Sequence, residues 1–307
     1  MINGLISVLV VFILLGVGFF FTKTKRWPDN TNRIFSITVI SIAAPSLAII
    51  SIENRFTPAL LHSSVINLLM ITASVFIMFL LGKLLSHILK LDKKKKAVFE
   101  TTFTFNNTMF IGLPINQIVF GNEGLPYLFT FYLVTIILFW SLGAVTLCKA
   151  SDMGQKAFSW KKIFSPGLIG VLIGCALVEL EWHLPVIFET ALTYLGNMCV
   201  PLSLLVIGSN LAKSIQGSLP RITPDMVVIM IGKFIVHPLI IWGICALLGI
   251  TGIPMKVFIL TASLPCHAQT AIMAEYYQLE GKYASNLVSL STLISLVTIP
   301  FYAAMLL

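Results

Sequence analysis

Residues 101–117 read Thr-Thr-Phe-Thr-Phe-Asn-Asn-Thr-Met-Phe-Ile-Gly-Leu-Pro-Ile-Asn-Gln. This stretch is unusually polar for a chain that is otherwise strongly apolar, and it ends near a Leu-Pro pair at Pro114. A proline inside a helix removes one backbone hydrogen bond and clashes with the preceding turn, so we predict a kink or break there. Residues 260–270 repeat the pattern, Leu-Thr-Ala-Ser-Leu-Pro-Cys-His-Ala-Gln-Thr, with a second Leu-Pro pair at Pro265.

The composition around these two stretches is that of a membrane protein. Of the 307 residues, 57% are hydrophobic and 10% are charged, whereas soluble domains have about 45–50% apolar and about 25% charged residues. Apolar stretches of roughly 20 residues, the length that crosses a bilayer as a helix, follow one another from residue 2 onward. We predict an all-α protein with ten transmembrane helices, near 2–21, 33–52, 65–89, 98–120, 125–147, 163–182, 185–212, 223–249, 254–278 and 283–305.

The basic residues predict the orientation of these helices. Sixteen of the twenty Lys and Arg residues fall in odd-numbered connections between the predicted spans, and two fall in even-numbered connections. The positive-inside rule then places both termini on the extracytoplasmic side of the plasma (inner) membrane. Topology accounts for the net charge of +8, so no nucleic-acid partner is predicted. The five cysteines lack metal-ligand spacing, and we expect neither a metal site nor a cofactor.

The chain divides into two halves of five predicted spans. A basic linker at 149–162 separates residues 1–148 from residues 163–307. Because each half has an odd number of spans, the second half must enter the membrane with opposite orientation, which is the inverted repeat common in secondary carriers. The pattern Gly-Lys-x-x-x-His occurs around Lys83 in the third span and around Lys233 in the eighth, as a repeat predicts.

The two proline-containing stretches are the candidate binding site. A broken helix leaves free backbone N–H groups at the start of its second half. If those halves start at Pro114 and Pro265, their N–H groups present partial positive charge to the protein interior, which favours a carboxylate. Paired breaks in matching positions of two repeats are typical of the binding site of a carrier. We therefore predict that a small anion binds between the breaks.

Ionisable residues inside the predicted spans are candidates for coupling to an ion. Lys233 lies about ten residues into the eighth span. There it either attracts the anion, or occupies the place of a cation beside the breaks, or snorkels to the interface. His267 follows the second Leu-Pro pair and could couple a proton near neutral pH. Lys83 is nearer its helix end and is expected to snorkel. His237 reads more readily as a packing histidine than as a proton relay.

The first stretch also carries a family resemblance. Residues 105–115, Phe-Asn-Asn-Thr-Met-Phe-Ile-Gly-Leu-Pro-Ile, with Phe-Gly at 120–121, resemble the Asn-Thr-x-x-x-Gly-Ile-Pro signature of the auxin efflux carrier family. That family includes the plant PIN-FORMED carriers and many bacterial transporters. Residues 201–212 resemble its seventh span, and residues 264–300 resemble its last two spans. The chain lacks the long central cytosolic loop of the plant members, so it resembles the bacterial type.

The resemblance implies a 5+5 inverted repeat in which broken helices four and nine cross near the midplane. It also implies a scaffold of spans 1, 2, 6 and 7, with a homodimer through that scaffold, and a transport domain of spans 3–5 and 8–10 that moves as an elevator. Family members carry auxin in plants and are associated with malate, malonate and similar carboxylates in bacteria. Together with the breaks, the motif places substrate-binding residues at Asn106, Asn107, Thr108, Gly112, Pro114, Ile115, Pro265, Cys266, His267 and Gln269.

These observations predict a secondary transporter of small organic anions, namely mono- or dicarboxylates such as malate, malonate or auxin-like acids. The alternative is a sodium- or proton-coupled symporter or exchanger of a related inverted-repeat fold. That alternative calls for acidic residues beside the breaks, and none of the twelve acids lies there in the sequence. No cluster of His, Asp, Glu or Ser at one predicted depth has the pattern of a catalytic site, so we expect no enzyme and no catalytic residue.

Overall fold

The structure is a computed structural model that describes residues 2–28, 30–58, 61, 64–152, 164–216 and 222–307. Most of the predicted linker 149–162 therefore lies outside the described residues. Every long element in the described ranges is a helix, which confirms the all-α prediction. The helices are α1 Ile2–Lys23, α2 Thr31–Glu53, α3 Val65–Ile88, α4 Lys93–Thr104, α5 Thr108–Ala150, α6 Pro166–Glu179, α7 Val186–Lys213, α8 Pro224–Leu248, α9 Gly252–Ala262, α10 Ala268–Tyr276 and α11 Gly281–Leu306.

Six of these helices, α2, α3, α5, α7, α8 and α11, are long and apolar enough to cross a membrane. Three shorter apolar helices accompany them: α6, α9, and the part of α1 from Val10 to Lys23. An apolar helix satisfies its own backbone hydrogen bonds and can therefore lie in lipid. The chain is a multi-pass membrane protein.

Helix α5 is divided by a glycine. At 43 residues it is far longer than one membrane crossing requires, but Gly121 has φ +63° and ψ −159°, which is not a helical conformation. A residue with a Cβ atom is strained at these angles, so glycine suits the position. The chain thus changes direction between residues 108–120 and 122–150, which overlap the predicted fourth and fifth spans.

Three of the described helices, α2, α5 and α8, together contain four widened π turns, and three of these turns come just before a proline. Pro45, Pro114 and Pro238 all follow such a turn and continue the helix. A π turn carries an extra residue, which gives the proline ring room without ending the helix. The break that we expected at Pro114 is therefore absent there. The four turns are Val39–Ala43, Thr108–Gly112, Phe139–Gly143 and Gly232–Val236.

Glycines bring α1 and α7 to backbone contact. A Cβ atom added to Gly18 would lie 2.3 Å from the carbonyl oxygen of Leu205, and one added to Gly208 would lie 2.0 Å from that of Leu15. No side chain fits at either position, so the two helices pack without spacing between their backbones. Helix α2 packs on both α6 and α7. The four helices α1, α2, α6 and α7 thus form one connected group.

A charged cluster joins the first turns of α4, α8 and α11. Lys95 Nζ lies 3.2 Å from both carboxylate oxygens of Asp225, and the hydroxyl of Tyr283 donates to the same carboxylate. Asp225 is buried, so this carboxylate has its partners inside the protein. Nearby on the surface, Lys94 binds Asp152 at 2.7 Å and lowers the pKa of that exposed carboxyl group.

Candidate functional site: two crossed helix breaks

Two non-helical segments interrupt the membrane helices. The first break (residues 105–107) lies between α4 and α5, and the second break (residues 263–267) lies between α9 and α10. At 1.5 Å per residue, the 12 residues of α4 and the 11 residues of α9 rise by about 18 Å and about 16 Å. Each length is roughly half of the ~30 Å hydrocarbon core. The structure therefore confirms a break at Pro265, and it moves the other break from Pro114 to residues 105–107.

The two breaks pair with each other through their backbones. Asn106 and Cys266 form an antiparallel bridge. The N–H of Asn107 donates to the carbonyl of Pro265 at 2.9 Å, and the N–H of His267 donates to a carbonyl of the first break at 3.1 Å. Buried N–H and C=O groups outside helices are costly unless they are paired. The pairing thus explains how both helices can be interrupted at membrane depth.

The side chain of Asn106 ties the first break to the end of α9. Its amide nitrogen donates to the carbonyl oxygens of Thr261 at 2.9 Å and Ala262 at 2.8 Å, and its amide oxygen accepts from Lys233 Nζ. Only this orientation of the amide works, because carbonyls can only accept and the lysine ammonium can only donate. Asn106 is 2% exposed, so all three contacts are buried.

Lys233 extends from α8 to the same point. It is fully buried, and Nζ also donates to the carbonyl oxygen of Phe105, at 2.6 Å. Phe105 directly follows α4, and the carbonyl end of a helix carries partial negative charge that favours a cation. Snorkelling of Lys233 to the interface is therefore wrong, and its ammonium group takes the cation-like place beside the breaks. His237 is buried one turn further along α8, with Nδ1 3.3 Å from the Asn106 amide nitrogen, and its role as a packing histidine stays a prediction.

The matching lysine of the first half is placed differently. Lys83 is exposed, and its Nζ lies 4.8 Å from the centre of the Phe79 ring. Phe79 lies one turn toward the middle of the helix, away from the nearer helix end, so snorkelling of Lys83 to the interface stays a prediction. Gly232 allows α8 to approach α4, since a Cβ atom there would lie 2.1 Å from Phe103. That approach lets Lys233 reach the breaks.

Each second half-helix starts beside the paired breaks. Asn107 is the N-cap of α5, where its side-chain oxygen accepts from the N–H of Phe110 at 3.3 Å. His267 is the N-cap of α10, and Gln269, half-buried, lies in the first turn of that helix. The first N–H groups of a helix have no partner within the helix and carry partial positive charge. At α5 the N–H groups of Thr108 and Phe110 already donate to Asn106 and Asn107, so the start of α5 offers an anion mainly the partial positive charge of its helix, as the start of α10 also does.

A small cavity lies against both helix starts. It measures about 10 Å³, room for about one water molecule. A carboxylate substrate thus needs the surrounding helices to separate before it can bind there. The lining residues are Phe105, Asn106, Thr108, Tyr132, Thr135, Ile136, Phe139 and His267.

The predicted site residues divide into two groups. Asn106, Thr108 and His267 line the cavity, and Asn107, Pro265 and Cys266 form the paired breaks behind it. The remaining members of the predicted site lie in the first turns of α5 and α10 but do not line this cavity: Gly112, Pro114, Ile115 and Gln269.

Gly112 and Ile115 serve packing around the breaks. A Cβ atom on Gly112 would lie 2.6 Å from Leu264, so glycine lets α5 lie directly on the second break. Ile115 is buried and lines a separate apolar cavity between α5, α1, α7 and α11. Pro114 continues the helix after the π turn. The glycine and proline of the motif thus shape the start of α5 rather than contact the cavity.

The side of the cavity that comes from the second part of α5 was not predicted from the sequence. Tyr132, Thr135 and Phe139 line it, and the ring of Phe139 lies 4.6 Å from that of His267, centre to centre. The Tyr132 hydroxyl also lies 3.1 Å from the hydroxyl of Ser165, next to the start of α6. Their spacing of three and four residues, which places all three on one face of a helix, could have indicated that they line the same cavity.

Comparison with known proteins gives the family. Residues 4–303 match the model of a family described as membrane transport protein. The chain is 25% identical over 305 residues to an uncharacterized transporter of Methanothermobacter thermautotrophicus, covering 98% of this chain and 97% of that protein. It is also 25% identical over 311 residues to an uncharacterized transporter of Methanocaldococcus jannaschii, covering 98% of each. Over 137 residues, 44% of this chain and 42% of the relative, it is 26% identical to a candidate malonate transporter of Rhizobium meliloti.

The family match extends over almost the whole chain, including both breaks, and it agrees with the motif at residues 105–115. The named relatives that span the full length are transporters, and none is an enzyme. The chain therefore belongs to the membrane transport protein family, the family of the auxin efflux carriers, and is itself a membrane transporter.

Proposed function

We propose that this protein is a secondary transporter of small organic anions, mono- or dicarboxylates such as malate, malonate or auxin-like acids. The observation that carries the proposal is the pairing of the two breaks, which brings the starts of α5 and α10 to one cavity with Asn106, Thr108 and His267. N–H groups at helix starts and a hydroxyl such as that of Thr108 are groups that bind a carboxylate. The partial similarity to a candidate malonate transporter supports the same substrate class.

The proposed architecture is ten spans in a 5+5 inverted repeat, with residues 1–148 as the first half and residues 163–307 as the second. Two features support it: Gly121 separates spans four and five, and both breaks lie about halfway along their spans. We place both termini on the extracytoplasmic side of the plasma membrane, from the distribution of Lys and Arg. A homodimer through α1, α2, α6 and α7 is part of the same proposal.

The proposed mechanism is elevator-type alternating access. Lys233 and Asn106 bind α4, α8 and α9 to one another, so the breaks move as one body. The helices α1, α2, α6 and α7 are the fixed scaffold. The hydrogen-bonded pair Tyr132 and Ser165 lies between the two bodies and has to separate as the cavity moves.

The contacts at the breaks favour an anion over a coupled cation as the ligand. In carriers with broken helices, the free carbonyl ends coordinate Na⁺ or H⁺ and the free N–H ends bind anionic groups. Here the carbonyl ends of α4 and α9 already accept from Lys233 and Asn106. No carboxylate among the residues that the structure describes lies within 4.0 Å of Lys233 Nζ.

Transport by the purified protein in liposomes tests the proposal. Labelled malonate, malate and indole-3-acetate should each be assayed against protein-free liposomes, and at least one should show saturable flux. Replacing Thr108 with Val removes a cavity hydroxyl at nearly constant volume. The loss of one hydrogen bond to substrate, about 1.4 kcal/mol, should lower flux at low substrate concentration about tenfold.

The matched control for that variant is Thr104→Val. Thr104 precedes the first break, and its hydroxyl donates to the carbonyl of Glu100 within α4 at 2.8 Å, away from the cavity. This variant should transport at the wild-type rate. Absence of saturable flux for every acid would refute the transporter proposal, and full activity of Thr108→Val would refute the site.

A further inference from the structure

We propose that Lys233 is a counter-charge that travels with the substrate site and balances one bound carboxylate. The site then crosses the membrane without net charge when it is loaded, and with one positive charge when it is empty. The inference rests on the proposed function, because it needs a carboxylate at the breaks. If Lys233 balances one carboxylate, the preferred substrate carries a charge of −1. The step of transport that depends on the membrane potential is then the return of the empty carrier.

The first observation is that, among the residues that the structure describes, the hydrogen-bond acceptors of the ammonium group are neutral. Lys233 is 0% exposed, and Nζ donates to the carbonyl of Phe105 and to the amide oxygen of Asn106. Within the described ranges no Asp or Glu oxygen lies within 4.0 Å of it. A buried charge without an opposite charge is strongly unfavourable, and a nearby anion relieves that cost. Asn106 both lines the cavity and binds Lys233 Nζ, so the Asn106 side chain would separate a carboxylate in the cavity from the ammonium group.

The second observation is that Lys233 is fixed to the parts that carry the site. Phe105 and Asn106 belong to the first break, and Asn106 also binds the carbonyls of Thr261 and Ala262 at the end of α9. A displacement of the breaks therefore takes the ammonium group with it. Lys83 occupies the matching place of the repeated Gly-Lys-x-x-x-His pattern but is exposed, so it does not share this role.

The other charges near the breaks do not cancel Lys233. Glu100 is buried in α4 and accepts from the Ser86 hydroxyl at 2.8 Å. It lies six residues before Asn106, about 9 Å along the helix toward the Lys-rich loop. The one other basic side chain among the cavity-lining residues is that of His267. A dicarboxylate thus brings a second negative charge that Lys233 alone does not balance.

The physical consequence is a difference between exchange and net transport. Exchange of internal for external substrate uses only the loaded carrier, whereas net uptake also needs the empty carrier to return. A full elementary charge that crosses 100 mV changes an equilibrium roughly 50-fold. A membrane potential should therefore change net flux of a monocarboxylate severalfold and leave its exchange unchanged.

The experiment measures both modes in liposomes whose potential is set by a potassium gradient and valinomycin. Labelled indole-3-acetate is the monocarboxylate probe, labelled malonate at pH 8 is the dicarboxylate probe, and protein-free liposomes give the leak. For the wild type we expect indole-3-acetate exchange to be flat between 0 and about −100 mV, while its net flux changes severalfold. Malonate exchange should depend on potential. Voltage-dependent exchange of indole-3-acetate would overturn the proposal.

Two variants assign the charge to its residue. Lys233→Met removes the ammonium group, so indole-3-acetate exchange should become voltage-dependent. Lys83→Met is the control, and its exchange should stay flat. Equal voltage dependence of exchange in Lys233→Met and wild type would overturn the assignment. If Lys233→Met is inactive, the wild-type comparison of the two acids decides alone.

Saturable flux with the wrong voltage dependence refutes only this inference, whereas no saturable flux of any acid refutes the proposed function.

Discussion

Replacing Asn106 with alanine should destabilise the protein more than any other single asparagine change at the breaks. The carbonyls of Thr261 and Ala262 would lose donors at 2.9 and 2.8 Å, and Lys233 would lose one of its two acceptors. A buried group left without its partner costs about 1–3 kcal/mol, and more if it is charged. Allowing for partial relaxation, we expect the free energy of unfolding to fall by about 3–5 kcal/mol.

The assay is thermal unfolding in detergent, followed by a dye that fluoresces on reaction with thiols. It suits this chain because four of its five cysteines are buried, among them Cys266 in the second break. A loss of 3–5 kcal/mol corresponds to a melting temperature lower by on the order of 10 °C. The dye signal should also show whether the variant starts with exposed thiols, which would indicate that it never folded.

The neighbouring Asn107→Ala variant is the control. Its side chain makes one long contact, accepting from the N–H of Phe110 at 3.3 Å as the N-cap of α5. Loss of an N-cap costs about 1 kcal/mol, or a few degrees. The reasoning fails if Asn106→Ala and Asn107→Ala melt within about two degrees of each other, because the predicted difference of several bonds would then be absent.

Two further predictions concern packing away from the breaks. Gly208→Ala should lower the melting temperature clearly, since its Cβ atom would lie 2.0 Å from the carbonyl oxygen of Leu15, whereas Gly243→Ala, which meets open space in α8, should not. Equal melting of these two variants would contradict the close packing of α1 on α7. Tyr283→Phe should cost about 1–2 kcal/mol by removing a hydrogen bond to the buried carboxylate of Asp225. An unchanged melting temperature would show that this bond contributes nothing.

The two Leu-Pro pairs show how much of the structure at the breaks can be predicted from the sequence. Hydropathy predicted that the chain is all-helical, and the polar stretches predicted the regions in which the two breaks lie. Yet the same dipeptide has two outcomes: Pro265 lies in a break, whereas Pro114 lies inside a helix that a π turn accommodates. The first break forms at Asn106 because Lys233, 127 residues away in the chain, supplies a partner there. Such a partner follows from tertiary packing, which no local pattern contains.

The two lysines of the repeated pattern make the same point. Lys83 and Lys233 occupy the same place in the Gly-Lys-x-x-x-His pattern, which leaves the role of Lys233 open between the site and the interface. In the structure one is exposed over Phe79 and the other is fully buried at the breaks. Residues that line the cavity from the second part of α5, such as Tyr132 and Thr135, were missed because they lie outside the two polar stretches around Pro114 and Pro265.

The π turns have a consequence for how such helices can change. Each successive residue of an α-helix is rotated by about 100° around the axis. A turn that holds one surplus residue therefore sets the angular phase of everything beyond it independently of everything before it. Deleting a single residue within 232–236 would regularise α8 and swing its later part, including His237, about 100° around the axis. One-residue insertions and deletions at these turns can thus rotate the side chains of one half of a helix around its axis, while the other half keeps its contacts.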